Sequence, residues 1–246
     1  MAQTERVQLQ GECQITLNVL CVIPARSGSK GLKNKNIKNF KGKPLIAHTI
    51  EYAQKCDLLT KTIVSTDSLE YSEIAKGFGV DVPFIRPKEF AKDSSQDIDF
   101  IYHALFECED YYKTQFDYVV LLRPTSPVRL PNLIERGLDL ISSDPQASSL
   151  KAVTKSTEHP YRQWVMEKEN YIIGYEQGVY EPYNLPRQKL PPVYYSSGDL
   201  EIIKRKTIIN GSVSGKKIIP LVLNKKDVVD IDSEDDWANA LKKHGN

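Results

Sequence analysis

The chain has 246 residues, of which 40% are hydrophobic and 26% are charged, and this is an ordinary globular composition. Its length suits one large domain. The 33 basic and 32 acidic residues leave a formal net charge of +1, which argues against a nucleic acid or an anionic membrane as the partner. Apolar runs are far shorter than the roughly 20 residues that a membrane span requires.

The first residues and the cysteines indicate the cellular compartment of this domain. Residues 1–17 are polar and lack the apolar segment of a signal peptide, so we expect a tail that precedes a domain over residues 18–246. The four cysteines are widely spaced and form no C-x-x-C pair, which is typical of reduced cysteines in a cytoplasmic protein. The four histidines are scattered, and their spacing does not favour a histidine metal site.

Predicted strands and helices alternate along most of the chain. Continuous apolar runs predict buried strands at Val19–Ile23, Thr62–Ser65, Tyr118–Leu122, Leu150–Val153, Leu200–Ile203 and Ile218–Leu223. Apolar residues at helical spacing predict helices over Pro44–Cys56, Asp99–Lys113 and Pro131–Ser142, and Ser233 with Asp236 predicts the capping box of a final helix. This alternation predicts an α/β fold with right-handed crossovers and a mostly parallel sheet.

Residues 156–199 interrupt the alternation. They are rich in proline, tyrosine and polar residues, and we interpret them as an inserted arm or lid of the same domain. Aromatic residues in such a segment suit a partner surface, although a locally packed loop fits the composition equally well.

The first predicted strand continues into a loop that has the composition of a phosphate-binding loop. The segment Val22–Gly31 reads VIPARSGSKG, and from Arg26 to Lys43 there are seven basic residues and no acidic one. Glycine lets backbone N–H groups approach an anion, and α/β sheets bind ligands at the carboxyl ends of their strands. A solvated lysine-rich loop is the alternative. The Walker A and G-x-G-x-x-G patterns are absent, which disfavours a P-loop NTPase and a dinucleotide oxidoreductase.

A pair of acids, Asp230 and Asp232, forms the second candidate site. Side chains two residues apart in an extended segment point the same way, so both carboxylates would face one pocket. Mg²⁺ is typically held by one or two carboxylates together with substrate phosphates. The alternative is that these acids complement the N-terminus of the final helix.

Three other loops combine basic and hydroxyl side chains. Leu122–Arg129 follows a buried strand and contains two arginines, Arg86–Ser95 is polar, and Pro186–Pro191 in the arm adds Arg187 and Lys189. Each loop alone is a weak signal, because an arginine at such a place more often forms a salt bridge than a ligand contact.

These motifs resemble, in order, those of the acylneuraminate cytidylyltransferases, or CMP-sialic acid synthetases. The resemblance covers roughly residues 18–243 and is carried by Val22–Gly31, Lys35-Asn36, Gly42–Leu45, Ser65–Asp67, Arg86-Pro87, Leu122–Arg129, Pro186–Gln188 and Asp230–Asp232. It implies a Rossmann-like nucleotidyltransferase fold with an inserted dimerisation arm, a homodimer, and Mg²⁺ as cofactor. It also implies transfer of CMP from CTP to the anomeric hydroxyl of an acidic nine-carbon sugar, with release of pyrophosphate.

The resemblance also implies roles for individual residues. The implied nucleotide-binding residues are Ala25, Arg26, Ser29, Lys30, Lys35, Asn36, Arg86, Ser94 and Ser95. The implied sugar-binding residues are Arg123, Thr125, Ser126, Arg187 and Gln188, of which the last two reach from the arm. The implied metal ligands are Asp230 and Asp232, and the implied catalytic residues are Arg26, Lys30 and Asp232.

The sugar half departs from the family pattern. Many sialic acid members read LLQPTSP where this chain has Arg123 in place of the glutamine, and FRPNGAIY where this chain has Tyr194–Glu201. A legionaminic or another modified nonulosonic acid therefore fits as well as N-acetylneuraminate. Two other functions stay open, namely a nucleotidyltransferase that uses another NTP or a sugar 1-phosphate, and a non-catalytic nucleotide-binding protein.

Overall fold

The structure is a computed structural model, and it describes residues 17–29 and 31–244. The predicted tail apart from Leu17, and the predicted site residue Lys30, lie outside the described residues. The strands are β1 (Val19–Pro24), β2 (Asn39–Phe40), β3 (Lys43–Pro44), β4 (Lys61–Ser65), β5 (Tyr118–Leu121), β6 (Ser149–Lys155), β7 (Trp164–Met166), β8 (Ile172–Gly174), β9 (Tyr194–Lys204) and β10 (Ile218–Leu223).

Six of these strands form a central sheet in the order β10-β6-β9-β5-β1-β4, and β2-β3 and β7-β8 pair separately. β1 pairs in parallel with β4 and β5, and β10 pairs in parallel with β6. β9 runs antiparallel to both of its neighbours, β5 and β6. The predicted mostly parallel sheet is confirmed. The reversed direction of β9 was not predicted, and it arises because β9 returns beside β6 without a crossover helix.

The helices are α1 (Leu45–Ala53), α2 (Leu69–Gly77), α3 (Asp97–Tyr112), α4 (Leu133–Ser143), α5 (Arg205–Ile209) and α6 (Glu234–His244). Four of them agree with the predicted helices. α2 and α5 were not predicted, because α5 is only one turn long and α2 buries just Tyr71, Ser72 and Ala75. Among the described residues, none of the helices combines the length and apolarity needed to cross a membrane.

Helices cover both faces of the sheet, so its strands are apolar on both sides. Val19, Cys21 and Ile23 of β1 pack with α1, α2 and α4, whereas Leu20 and Val22 pack with α3. A third cluster joins Leu32, Phe40 and Leu45 to Val229, Ile231 and Trp237. This cluster attaches α6 and its preceding segment to the chain that follows the first strand.

The described cysteines are Cys21, Cys56 and Cys108, and all three are buried and free of disulfides. Burial raises the pKa of the Cys21 thiol to about 12, and the same cause raises that of Cys108 to about 12. A buried neutral thiol packs as a small apolar side chain. The prediction of reduced cysteines therefore agrees with their positions in the core.

The predicted arm lies between β6 and β9 and holds short 3-10 turns and the β7-β8 hairpin. β9 begins at Tyr194, so the excursion ends at residue 193, six residues before the predicted boundary. Lys155 and Tyr194 are register partners, and the Ser156 N–H donates to the Val193 carbonyl at 2.9 Å. The arm is therefore the long loop of a β-hairpin whose two ends lie side by side.

Candidate active site

A cleft of about 600 Å³ opens where β1 and β5 end and where the chain approaches α6. The predicted residues that line it are Arg26, Ser29, Lys35, Asn36, Arg86, Ser95, Arg123, Thr125, Asp230 and Asp232. Ala25 and Ser126 are fully buried, and Ser94, Arg187 and Gln188 are exposed. The fold thus brings most of the predicted site to one edge of the sheet, which is where an α/β fold binds ligands.

The loop after β1 is held in shape by side chains from other segments. Asp67 accepts bonds from the backbone N–H and the hydroxyl of Ser27, each at 2.7 Å. The Asn36 amide donates to the Arg26 carbonyl at 3.1 Å, and Arg26 Nη2 donates to Asp93 Oδ1 at 2.7 Å. Sequence reasoning assigned no role to Asp67 or Asp93. The Arg26 guanidinium is held in the cleft by an ion pair that is partly exposed to solvent.

Lys35 links the basic loop after β1 to the acid pair. Its side chain is 11% exposed, and its Nζ donates to the Ile231 carbonyl at 2.9 Å and to Asp232 Oδ1 at 2.6 Å. Gly31 comes equally close, since a Cβ added there would lie 2.5 Å from the Asp232 carbonyl oxygen. The basic loop and the acids therefore form one wall, although Lys35 and Asp232 are 197 residues apart in the chain.

The two acids are placed on the cleft side of an extended segment. Ile231 between them is fully buried, and its N–H donates to the Thr125 carbonyl at 2.9 Å. Desolvation raises the pKa of Asp230, the Thr125 hydroxyl opposes this, and the nearby Asp232 carboxylate raises the pKa further. Two like charges that face one cleft are a donor set that a divalent cation could share.

The hydrogen-bonded cap of the final helix is formed by residues other than Asp230 and Asp232. The Asp236 N–H donates to Ser233 Oγ at 3.2 Å, and the Ser233 N–H donates to Asp236 Oδ2 at 2.9 Å. This reciprocal pair is the predicted capping box, and it satisfies the first turn of α6. Within residues 17–29 and 31–244, no group of three or more metal-ligating side chains occurs, so a cation at Asp230 and Asp232 would need further oxygen ligands.

Arg86 forms the floor of the cleft. It is 3% exposed, and it donates from Nε to Ser65 Oγ at 3.0 Å and from Nη2 to the Ser65 carbonyl at 2.7 Å. Its guanidinium lies 4.5 Å from the centre of the Phe100 ring, and burial lowers its pKa to about 10. Ser95 accepts from the Lys92 N–H and donates to the Glu89 carbonyl, which closes the same loop. Arg86 therefore fixes the shape of the floor as well as lining it.

The β5 side of the cleft carries Arg123, whose Nη2 bonds to Asp97 and to Glu201 Oε1, the latter at 3.0 Å. Burial opposes the charge on Glu201, but Arg123 and Lys151 hold the pKa of that carboxyl below its usual value. Lys151 Nζ donates to Glu201 Oε2 at 2.8 Å. Asp97, Lys151 and Glu201 were not predicted, because nothing in their local sequence marks them as partners of Arg123.

A second arginine lies fully behind this wall. Arg129 donates to the carbonyl oxygens of Asp199 and Arg123 at 2.8 and 2.6 Å, and to Thr49 Oγ1 at 3.0 Å. Burial lowers the pKa of Arg129 to about 10 and raises that of the neighbouring Asp199 carboxyl to about 6. Asp199 Oδ2 and the predicted sugar residue Ser126, at Oγ, are buried without a hydrogen-bond partner. These groups pack beneath the site and do not line it.

Residues 20–163 of the chain match the family model described as cytidylyltransferase. The chain belongs to the cytidylyltransferase family. It is 33% identical over 224 residues to CMP-N,N'-diacetyllegionaminic acid synthase of Legionella pneumophila, and this match covers 90% of this chain and 94% of that protein. It is 32% identical over 225 residues to N-acylneuraminate cytidylyltransferase of Escherichia coli, and this match covers 91% of this chain and 51% of the relative.

The fold agrees with that of a solved cytidylyltransferase. The structure of CMP:2-keto-3-deoxy-manno-octonic acid synthetase complexed with CTP superposes with a TM-score of 0.66 at 18% identity, over 92% of this chain and 99% of that one. The predicted Rossmann-like nucleotidyltransferase fold is confirmed. Membership of the family also confirms the prediction that this chain is a nucleotidyltransferase enzyme, and it disfavours the alternative of a non-catalytic nucleotide-binding protein.

Proposed function

We propose that this enzyme transfers CMP from CTP to the anomeric hydroxyl of a nonulosonic acid and releases pyrophosphate. The observation that carries the proposal is the joining of basic Arg26 and Lys35 to acidic Asp230 and Asp232 within one cleft. A triphosphate requires the cations, and a phosphate-bound metal requires the acids. The acceptor class is suggested by the two curated relatives, whose names specify a legionaminic acid and an acylneuraminate and which align with nine-tenths of this chain.

The chemistry proposed is an in-line attack of the sugar hydroxyl on the α-phosphorus of CTP. Such a transfer depends on position and charge neutralisation more than on covalent help from the protein. Arg26 is held by a partly exposed pair with Asp93 and can exchange that carboxylate for a phosphate oxygen. Arg26 and Lys30 would then stabilise the charge that grows on the leaving pyrophosphate.

Asp230 and Asp232 would hold Mg²⁺, which supplies charge neutralisation on the phosphates. The donor set fits, because two carboxylates line the cleft and leave coordination positions for phosphate oxygens and water. Lys35 fixes one oxygen of Asp232 and so orients its carboxylate. Titration with Mn²⁺ followed by electron paramagnetic resonance should show binding in the wild type and weakened binding in Asp230→Asn. Equal Mn²⁺ affinity in both proteins would contradict this assignment.

The substrates can be tested with a crossed panel. Each of the four NTPs is combined with N-acetylneuraminic acid, N,N'-diacetyllegionaminic acid, the eight-carbon 2-keto-3-deoxy-manno-octonic acid, and a sugar 1-phosphate. Pyrophosphate release and the mass of the product are measured. We expect turnover with CTP and a nine-carbon acid, and a product heavier than the acid by one CMP residue. Turnover with another NTP or only with the sugar 1-phosphate would favour the alternative nucleotidyltransferase.

We also propose that the arm mediates a homodimer. Its large apolar side chains are open to solvent, and Met166 and Tyr180 are 69% and 90% exposed. Apolar surface of this kind marks interaction sites. Arg187 and Gln188 lie on the same arm and do not line their own chain's cleft, and in a dimer they would reach the sugar site of the partner.

The hairpin geometry of the arm allows a direct test of the dimer. Replacement of residues 157–192 by Asn-Gly joins Ser156 to Val193, which are already hydrogen bonded and adjoin the register partners Lys155 and Tyr194. Light scattering should give the mass of a dimer for the wild type and of a monomer for this variant. A dimeric variant would show that the arm is not the interface.

A further inference from the structure

Four alternating charges connect the cleft to the interior of the sheet. Asp97 at the start of α3 bonds to Arg123, Arg123 bonds to Glu201 of β9 at 3.0 Å, and Glu201 bonds to Lys151 of β6 at 2.8 Å. The order of charges is minus, plus, minus, plus, so this four-charge network is neutral overall. It is separate from the Lys35–Asp232 pair on the β1 side of the cleft.

Two members of the network line the cleft, and they are its most exposed members. The side chains of Glu201 and Lys151 are 9% and 21% exposed, whereas those of Arg123 and Asp97 are 30% and 39% exposed and line the cleft. Buried ion pairs are costly to desolvate and are often no more stabilising than apolar residues of similar volume. Stability alone therefore does not account for the buried pair, and the exposed end of the network opens onto the cleft.

Arg123 retains donors for a ligand. Its bonds to the two carboxylates both leave from Nη2, and a guanidinium has further N–H groups on Nε and Nη1. Two carboxylates already offset its charge, so it is better suited to neutral oxygen atoms than to a phosphate. Its backbone is also fixed, because the Arg123 carbonyl accepts from the half-buried Arg129.

Arg123 also stands on the opposite side of the acid pair from the phosphate-binding loop. Asp232 contacts Gly31 and Lys35 on the β1 side, whereas Asp230 shares a hydrogen bond with Thr125 on the β5 side. A sugar hydroxyl that attacks between the acids would bring the rest of the sugar to the β5 side, next to Arg123.

We propose that the four-charge network sets the acceptor specificity of the enzyme. Arg123 donates from Nε and Nη1 to oxygen atoms on the substituents of the acceptor sugar, and Asp97, Glu201 and Lys151 are positioning residues that hold the guanidinium in place. The inference rests on the proposed function. A site that donates to a substrate oxygen discriminates strongly against an analogue that lacks it, because its own donor is left unpaired.

The test compares Arg123→Gln and Glu201→Gln with the wild type on two nonulosonic acids. Glu73→Gln is the matched control, since it alters an exposed glutamate in a 2.9 Å pair with Lys76 on α2. We expect Glu201→Gln to raise the KM for the acceptor about tenfold while the KM for CTP stays within twofold. Arg123→Gln should change the ratio of kcat/KM between the two acids at least tenfold, and Arg123→Lys should not restore it, because an ammonium lacks the planar fork.

Thermal unfolding and calorimetric CTP binding are measured on every variant. If Glu201→Gln fails to fold, Asp97→Asn at the exposed end of the network replaces it. We again expect a raised KM for the acceptor and a KM for CTP within twofold of the wild type. Unchanged acceptor KM and unchanged acceptor ratio would overturn the inference, as would equal losses for CTP and acceptor, which indicate a structural role. A wild type that uses no acid sugar overturns the proposed function and this inference together. If the enzyme is active but the variants change the KM for the acceptor no more than the KM for CTP, this inference alone is overturned.

Discussion

The cleft and the arm differ in what they leave open to solvent. In the cleft, Arg86 and Lys35 are charged yet nearly buried, and each is held by hydrogen bonds to neighbouring segments. In the arm, Met166, Tyr171 and Tyr180 are apolar or aromatic yet mostly exposed. Contacts within the chain therefore fix the geometry of the cleft, whereas the apolar surface of the arm contributes little to the stability of the single chain.

This comparison predicts that substitutions in the two regions change different quantities. Changes in the cleft should alter turnover or unfolding, and changes in the arm should alter association.

Asp232→Asn should reduce kcat by a factor on the order of 10²–10³, because it removes one proposed metal ligand and its charge. The side chain is 69% exposed, so the free energy of unfolding should change little. Steady-state kinetics in Mg²⁺ and urea unfolding check both expectations. The exposed Asp235→Asn, in the first turn of α6, is the matched control and should remain active. Near-wild-type activity of Asp232→Asn would contradict the assignment of Asp232 as a metal ligand.

Gly31→Ala should lower kcat by roughly 10- to 100-fold, because the added Cβ would lie 2.5 Å from the Asp232 carbonyl and displace either the loop or the acid. Gly77→Ala is the control, since an added Cβ there meets nothing within 4 Å. The kinetics of both variants are measured at saturating CTP. If Gly31→Ala turns over as fast as the control, the contact between loop and acid does not position the reacting groups.

The Asp199 carboxyl should make stability depend on pH. Burial raises its folded-state pKa to about 6, above the ordinary value of about 3.9, so between about pH 4 and pH 6 the folded state binds more protons than the unfolded state. The free energy of unfolding contributed by this group should therefore fall by on the order of 2–3 kcal/mol as pH rises through that window.

Urea unfolding at several values from pH 4 to pH 7 tests this dependence. Asp199→Asn should flatten the slope, whereas Asp110→Asn, at an 86% exposed side chain, should run parallel to the wild type. A slope that is the same in Asp199→Asn and the wild type would show that the carboxyl titrates normally.

Tyr180→Ser should change the free energy of unfolding by less than about 0.5 kcal/mol, because the side chain is 90% exposed. It should nevertheless weaken the proposed dimer about tenfold or more, measured as a dissociation constant by analytical ultracentrifugation. Tyr71→Ser is the contrasting variant, since Tyr71 is 2% exposed and its truncation should cost about 3 kcal/mol or more of stability. An unchanged dissociation constant for Tyr180→Ser would place the interface elsewhere.

The features predictable from the sequence are those encoded by neighbouring residues. Apolar runs located the six central strands, and Ser233 with Asp236 located the start of α6. Which strands pair and which side chains bond to each other was not predictable, because these contacts join residues that are far apart in the sequence. The reversal of β9 and the bond from Arg123 to Glu201 arise only when β5, β6 and β9 come together.

The site residues show the same limit. Asp230 and Asp232 were predicted to share one face, and the burial of Ile231 between them explains why they do. The burial of Arg86 against Ser65 was not predictable, since an arginine after a short apolar stretch is more often on the surface.

The bond between Lys35 and Asp232 has a consequence for how the enzyme is made. A chain is synthesised from its N-terminal end, so Lys35 and the basic loop before it leave the ribosome long before Asp232, 197 residues later, has been added. A nascent chain, or one clipped before residue 230, would carry the basic loop without the carboxylates that complete the wall. Under the proposed mechanism, the enzyme would become competent only once the segment that carries Asp230 and Asp232 has been translated.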